Sequence, residues 1–297
     1  MTGARDWLRQ LRVRQWTKNL FVFVGVLFGS HWSGHEIGDA LIAFASFCMA
    51  SSASYQMNDV MDVQNDRIHP EKRHRPLASG RVRVSHAIAA GGLLALASVL
   101  IAASLGAAAV AIVTAYLVIN VAYSRVLKRV VLIDVFCIAI GFMLRLLMGT
   151  SGIGLPPSAW LVICGLFLTL TLGFGKRRAE IGAIDGGAAG STGSVAQRPV
   201  LAHYDRTSLD QLLAITSACT IIAYAIYTVS FGWGGAPSRE RLVWTVPFVV
   251  YGMLRYLLMV NRHGKGADPS EDLLQDRQLL ATAALWVVSV VVLLGAG

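Results

Sequence analysis

Charge is scarce in this sequence. Asp, Glu, Lys and Arg supply 14% of its 297 residues, against 55% apolar residues, and the mean hydropathy is +0.58. So little charge cannot cover a water-soluble surface, and the composition points to several transmembrane helices. Cysteine is scarce too. Cys48, Cys137, Cys164 and Cys219 all lie inside apolar runs without metal-ligand spacing. They imply no disulfide framework and read as buried packing residues. Proline is limited to 8 residues, against 29 glycines, which suits a helical bundle with breaks. There is no nucleophile elbow, Walker loop or zinc-ligand pattern, and no cleavable signal pattern precedes the first apolar stretch. Acidic residues are the rarer sign, 17 against 26 basic ones, for a formal charge of +9.

What the chain has in quantity is long apolar runs. Nine segments of spanning or near-spanning length occur at 19–31, 38–57, 85–103, 106–124, 130–149, 157–175, 209–231, 242–260 and 278–296. The spacing predicts an all-α polytopic membrane protein: one membrane-embedded domain of nine transmembrane helices around a cytoplasm-facing cavity. Alternate loops put 22 of the 26 Lys and Arg on one side, and only Arg239 and Arg241 on the other. The positive-inside rule then sets the N-terminus and the active site in the cytoplasm and the C-terminus outside an inner (cell) membrane. Two inward loops, 58–84 and 176–208, are long enough to cap a cavity. The second contains a Gly-rich stretch at 182–197 that reads as mobile. The basic residues lie at membrane depth with no recognition module, which excludes nucleic acid as a partner and favours anionic lipid or a polyanionic substrate.

Residues 58–83, NDVMDVQNDRIHPEKRHRPLASGRVR, hold the densest charge. On a helix at about 100° per residue, Asn58, Asp62, Asp66 and Asp59 project into one quadrant. Three carboxylates on one face repel unless a cation sits among them. Oxygen ligands of this kind suit Mg²⁺, with Mn²⁺ as a substitute, completed by substrate phosphates. Lys72, Arg73, Arg75, Arg81 and Arg83 follow directly and complement phosphate oxygens. A solvated loop is the plain alternative, but solvation does not account for one-sided acidic spacing.

Other polar residues interrupt the apolar runs. Asp134 and Arg145 lie in the fifth segment, about 16 Å apart by helix rise, too far for a direct salt bridge. Each therefore pairs with another helix or meets substrate. Asn120, Tyr123, Ser124 and Lys128 are placed to line the same mouth, and Tyr55 stands one turn before Asn58. Lys176, Arg177 and Arg178 with Glu180 read either as a stop-transfer flank or as an anion site facing the acids. RVRQWTKN (12–19) reads as an interfacial anchor through Trp16, with Lys18 and Asn19 reaching the cavity. Arg255 is placed to snorkel to the inner interface. His203, Tyr204 and Asp205 form a polar loop trio in which Tyr204 is a candidate substrate contact. DPSED (268–272) reads as a helix start.

The run Asn58-Asp59-Val-Met-Asp62-Val-Gln-Asn-Asp66, after the second of nine helices, resembles the NDxxDxxxD motif of the UbiA superfamily of intramembrane prenyltransferases. RVRQWTKN (12–19), DRIHPEKRHRPLASG (66–80), YSRVLK (123–128), GKRRAE (175–180) and DPSEDLLQDRQLL (268–280) are similar to its decaprenyl-phosphate phosphoribosyltransferase branch. The resemblance implies Mg²⁺-dependent transfer of 5-phosphoribosyl from phosphoribosyl pyrophosphate to a polyprenyl phosphate, for cell-wall arabinan precursors, in a homo-oligomer. It implies Asn58, Asp59, Asp62 and Asp66 as metal ligands. Where aromatic-prenylating members carry a second aspartate-rich motif, this chain has Lys176, Arg177, Arg178 and Glu180. That departure disfavours a two-metal diphosphate clamp. The rival readings are a UbiA-type prenyltransferase acting on an aromatic or other acceptor, and a lipid-phosphate transporter with a basic vestibule.

Overall fold

The computed structural model describes residues 3–28, 33–70, 72–185, 199–229, 239–263, 272–273 and 275–295. Among these residues the chain is helical, without strands. Helix α1 (Ala4–Gln10) leads through a 3₁₀ helix at Val13–Phe23 into α2 (Val24–Leu27). Then come α3 (Gly34–Met61), α4 (Val63–Ile68), α5 (Val84–Ala103), α6 (Ala107–Arg125), α7 (Ile133–Met148) and α8 (Ala159–Asp185). Finally α9 (Arg206–Val229), α10 (Val246–His263) and α11 (Arg277–Gly295) complete the bundle.

Local chemistry sets the ends of these helices. Ser33 and Glu36 form a reciprocal capping box that starts α3, satisfying two otherwise orphaned N–H groups. Gly106 turns α5 into α6 at φ +120°, a conformation glycine adopts without a Cβ penalty. α3 packs on α5 and α6, α7 on α6 and α8, and α9 on α8 and α10. One core cluster joins α3, α6 and α7 through Phe47, Val113, Tyr116 and Met148. Another joins α7 to α10 through Val135, Phe174, Leu213 and Val260.

Eight helices among the described residues are long and apolar enough to cross a membrane, one fewer than the nine apolar runs. The run at 19–31 accounts for the difference. Its described part is wound as 3₁₀ helix and one short α-turn. At about 2.0 Å per 3₁₀ residue and 1.5 Å per α residue, residues 13–27 reach roughly 28 Å. Residues 186–197 of the Gly-rich stretch and 268–271 of DPSED lie outside the described residues. The four cysteines are free and buried or half-buried.

The segment at 13–27 crosses α7 by contact of two backbones. A Cβ on Gly149 would stand 1.6 Å from the Val22 carbonyl oxygen, and one on Gly25 would stand 1.8 Å from the Gly149 carbonyl oxygen. Neither backbone has room to yield, so Gly149→Val is expected to lower stability by about 3 kcal/mol or more. Thermal unfolding in detergent checks this, and an unchanged melting temperature contradicts the crossing.

Candidate active site

The polar ends of α3, α6 and α8 meet around a cavity of ≈ 270 Å³. α3 delivers Tyr55 and Asn58 to it. At Asp62 the backbone leaves helical geometry (φ −97°, ψ 5°) and restarts as α4, which delivers Asp66. The acidic motif therefore spans two helices that meet at Asp62. Asn58, Asp62 and Asp66 line the cavity. Ser124 donates to the Asn58 amide oxygen at 3.2 Å, and Lys128 Nζ reaches the Asp62 oxygens at 3.1 and 3.3 Å. Arg75 Nη1 donates to Asp66 at 2.7 Å and to Asp59 at 3.2 Å.

Asp59 departs from the expected metal set. Its side chain is 4% exposed and held by Arg12 and Arg75, with Gln10 Nε2 donating at 3.2 Å, and it does not line the cavity. One residue off the four-residue spacing of Asn58, Asp62 and Asp66, it faces the N-terminal segment. That segment is clamped to α3 a second way: the Trp16 indole donates to Ser52 Oγ, which donates to the Leu11 carbonyl. Trp16 thus meets a helix rather than serving only as a headgroup anchor. Arg12 takes left-handed backbone geometry (φ 53°) at this bend and lies over the Tyr55 ring at 4.8 Å.

Arg177, Glu180, Asp134 and Tyr204, expected as substrate contacts, do not line the cavity either. Arg177 is 1% and Asp134 0% exposed, and the two pair between α8 and α7. Arg177 also holds Glu180 and donates to the Tyr123 hydroxyl at 3.2 Å. The Tyr204 hydroxyl donates to Asp134 and accepts from the Leu132 N–H, both at 2.7 Å. Burial first, and then the hydrogen bond to Asp134, raise the Tyr204 pKa, so it stays a donor at neutral pH. This network latches residues 199–204 to the start of α7. Asn19 is fully buried and bonded to Arg145, Cys48 and Ser51. Arg73 is exposed outside the cavity, and Arg255 pairs with Asp276.

The other expected residues do come together. Lys18, Lys72, Lys128 and Lys176 line the cavity with Arg12, Arg75 and Arg145. Among the described residues, two carboxylates, Asp62 and Asp66, line the cavity with these seven cations, and Asp59 lies behind Arg12 and Arg75. Local reading missed Tyr116 and Phe142 on the same wall. Tyr116 lies one helical turn before Asn120, and that period was the available signal. Among the described residues no three acids stand together as a metal cage. Two carboxylates and an amide oxygen fit a hard cation that takes its remaining ligands from water and substrate phosphate, as Mg²⁺ does.

The UbiA prenyltransferase family model matches residues 19–270. The decaprenyl-phosphate phosphoribosyltransferase of Mycolicibacterium smegmatis is 29% identical over 293 residues, covering 94% of this chain and 89% of that protein. Its counterpart in Corynebacterium glutamicum is 31% identical over 302 residues, covering 97% and 86%. In fold, the chain is similar to a UbiA homolog from Archaeoglobus fulgidus solved with GPP and Mg²⁺. The TM-score is 0.74 at 20% identity, over 98% of this chain and 99% of that one. Sequence motif, bundle architecture and family match agree over most of the length, and the chain belongs to the UbiA prenyltransferase family as a multi-pass membrane transferase.

Proposed function

We propose that the chain transfers 5-phosphoribosyl from phosphoribosyl pyrophosphate to a polyprenyl phosphate, releasing diphosphate, with Mg²⁺ required. The observation that carries this reading is the charge of the cavity wall: seven cations against two carboxylates. A sugar bearing a diphosphate and a 5-phosphate brings about five negative charges, and a lipid phosphate about two, at about −2 per terminal phosphate. With Asp59 held behind Arg12 and Arg75, about four excess positive charges and one divalent cation offset most of that load. A prenyl diphosphate alone would leave the wall strongly positive. Lys176, standing where other members carry acids, is part of that excess. The relatives alike over nearly the whole chain are named for phosphoribosyl transfer and decaprenyl phosphate, which supports the same transferred group and acceptor.

Asn58, Asp62 and Asp66 would hold Mg²⁺, which when bound screens the leaving diphosphate as a Lewis acid. Lys18, Lys72, Arg75, Lys128, Arg145 and Lys176 bind phosphate oxygens, with Tyr55 and Tyr123 on the same wall. An acceptor phosphate oxygen bonds to the anomeric carbon as the C1–O bond to diphosphate breaks, and the electron pair leaves with diphosphate. The acceptor is already anionic, so no strong base is needed. Asp59, Asp134, Arg177, Glu180, Tyr204 and Asn19 hold the wall in shape. The whole chain works as one membrane domain. The cavity mouth and N-terminus are cytoplasmic and the C-terminus lies outside, as the one-sided Lys and Arg distribution supports. Purified protein given labelled phosphoribosyl pyrophosphate and decaprenyl phosphate is expected to yield labelled lipid only with Mg²⁺. Turnover of a prenyl diphosphate with no labelled lipid contradicts the reading.

A further inference from the structure

Arg145 is a buried charge without a counter-charge. It is 5% exposed. Its Nε donates to Asn19 Oδ1 at 2.8 Å, Nη1 to the Gly141 carbonyl at 2.6 Å and Nη2 to the Tyr116 hydroxyl at 3.0 Å. All three acceptors are neutral. Elsewhere in the bundle the pattern differs: Arg177 has Asp134 and Glu180, Arg12 has Asp59, Arg75 has Asp66 and Lys128 has Asp62. No carboxylate among the described residues pairs with Arg145. The rings of Tyr116, Phe142 and Phe47 lie 4.9, 5.4 and 5.6 Å from its guanidinium carbon. They fix its plane and offset part of its desolvation, but they do not neutralise it.

Its donors are also not exhausted. A guanidinium has five N–H groups, and these bonds use three. The Tyr116 hydroxyl accepts from Arg145 and so keeps its own proton to donate. Both residues line the cavity. Tyr116 lies eight residues before Ser124 on α6, about 12 Å along the helix, so this is the opposite end of the cavity from Asn58. Two phosphorus atoms of one diphosphate, separated by a single bridging oxygen, do not cover that span.

We infer that Arg145 and Tyr116 form a separate phosphate subsite at the cavity floor, and that a phosphomonoester of a substrate supplies the missing counter-charge. The inference rests on the proposed function for its two possible sources, the 5-phosphate of the donor and the phosphate of the acceptor lipid. Both offer the planar, bidentate match that a guanidinium fork favours.

Ligand-induced thermal stabilisation in detergent tests this without requiring turnover. Two pairs of probes are compared: phosphoribosyl pyrophosphate with ribosyl pyrophosphate, and decaprenyl phosphate with decaprenol. In Arg145→Gln, the preference for the phosphate-bearing member of one pair is expected to fall about tenfold or more. Affinity for the phosphate-free member should hold, and Arg145→Lys should retain part of the preference. Loss confined to the sugar pair assigns the donor 5-phosphate, and loss confined to the lipid pair assigns the acceptor. If Arg145→Gln does not fold, Arg145→Lys and Tyr116→Phe decide by the same comparison. Preferences kept at the parent level in both pairs, or absent from the parent itself, overturn the subsite. Labelled-lipid formation is scored alongside. A preference that the parent shows and Arg145→Gln loses, in a parent that makes no labelled lipid, keeps the subsite and rejects the proposed reaction.

Discussion

Asp62→Asn is expected to cut transfer about 10²–10³-fold, equivalent to about 2.7–4 kcal/mol of transition-state stabilisation, while leaving the melting temperature near that of the parent. Asp62 lines the cavity with its side chain 26% exposed, and its partner Lys128 is 18% exposed. Both face solvent in the cavity, so loss of the pair costs little stability, as for other partly hydrated pairs. Loss of the anionic oxygen removes a ligand that water cannot replace. Asp59→Asn is expected to do the reverse. Its side chain is 4% exposed between Arg12 and Arg75, and neutralising it strands Arg12 while Arg75 keeps Asp66, at a cost of about 2 kcal/mol, below that of a fully buried pair. Transfer per folded molecule should stay within about tenfold of the parent. Paired thermal melts and initial rates separate the two. If Asp59→Asn melts like the parent and does not turn over, Asp59 belongs among the metal ligands after all.

The contrast between these two acids marks how far local spacing carries. Asn58, Asp62 and Asp66 recur every four residues, a helical period that survives the break at Asp62 because α4 resumes at once. Asp59 sits at the edge of that face, and the deciding contact comes from Arg12, 47 positions away in sequence. No local pattern encodes that distance. Eight apolar runs became spanning helices because run length is a local property. The described part of the run at 19–31 is wound as 3₁₀ helix and one short α-turn, and its Gly25 meets Gly149 across the bundle, a contact that is again non-local. Arg145 and Asp134 were visible as charges out of place in an apolar helix. Their partners, Asn19, Tyr116 and Arg177, come from three other elements and became assignable only with the fold.

Neighbouring residues on α8 should separate in the same way, and here the stability effect is the largest expected in the molecule. Lys176 lines the cavity. Arg177, about 100° further round the helix, points into the bundle with 1% exposure. Arg177→Met leaves Asp134 buried with only the Tyr204 hydroxyl and the Leu132–Tyr204 contact to support it. The expected loss is about 3–5 kcal/mol, the usual cost of stranding one partner of a buried pair. Lys176→Met should melt like the parent and raise the KM for phosphoribosyl pyrophosphate about tenfold. Adding Asp134→Asn to Arg177→Met should recover part of the lost stability. An amide oxygen still accepts from Tyr204 without carrying a charge, so the two changes should be coupled rather than additive. A stable Arg177→Met protein with a raised KM and no coupling to Asp134 would instead make Arg177 an anion ligand. The triple-basic run would then act as one patch rather than as one cavity cation beside one structural strut.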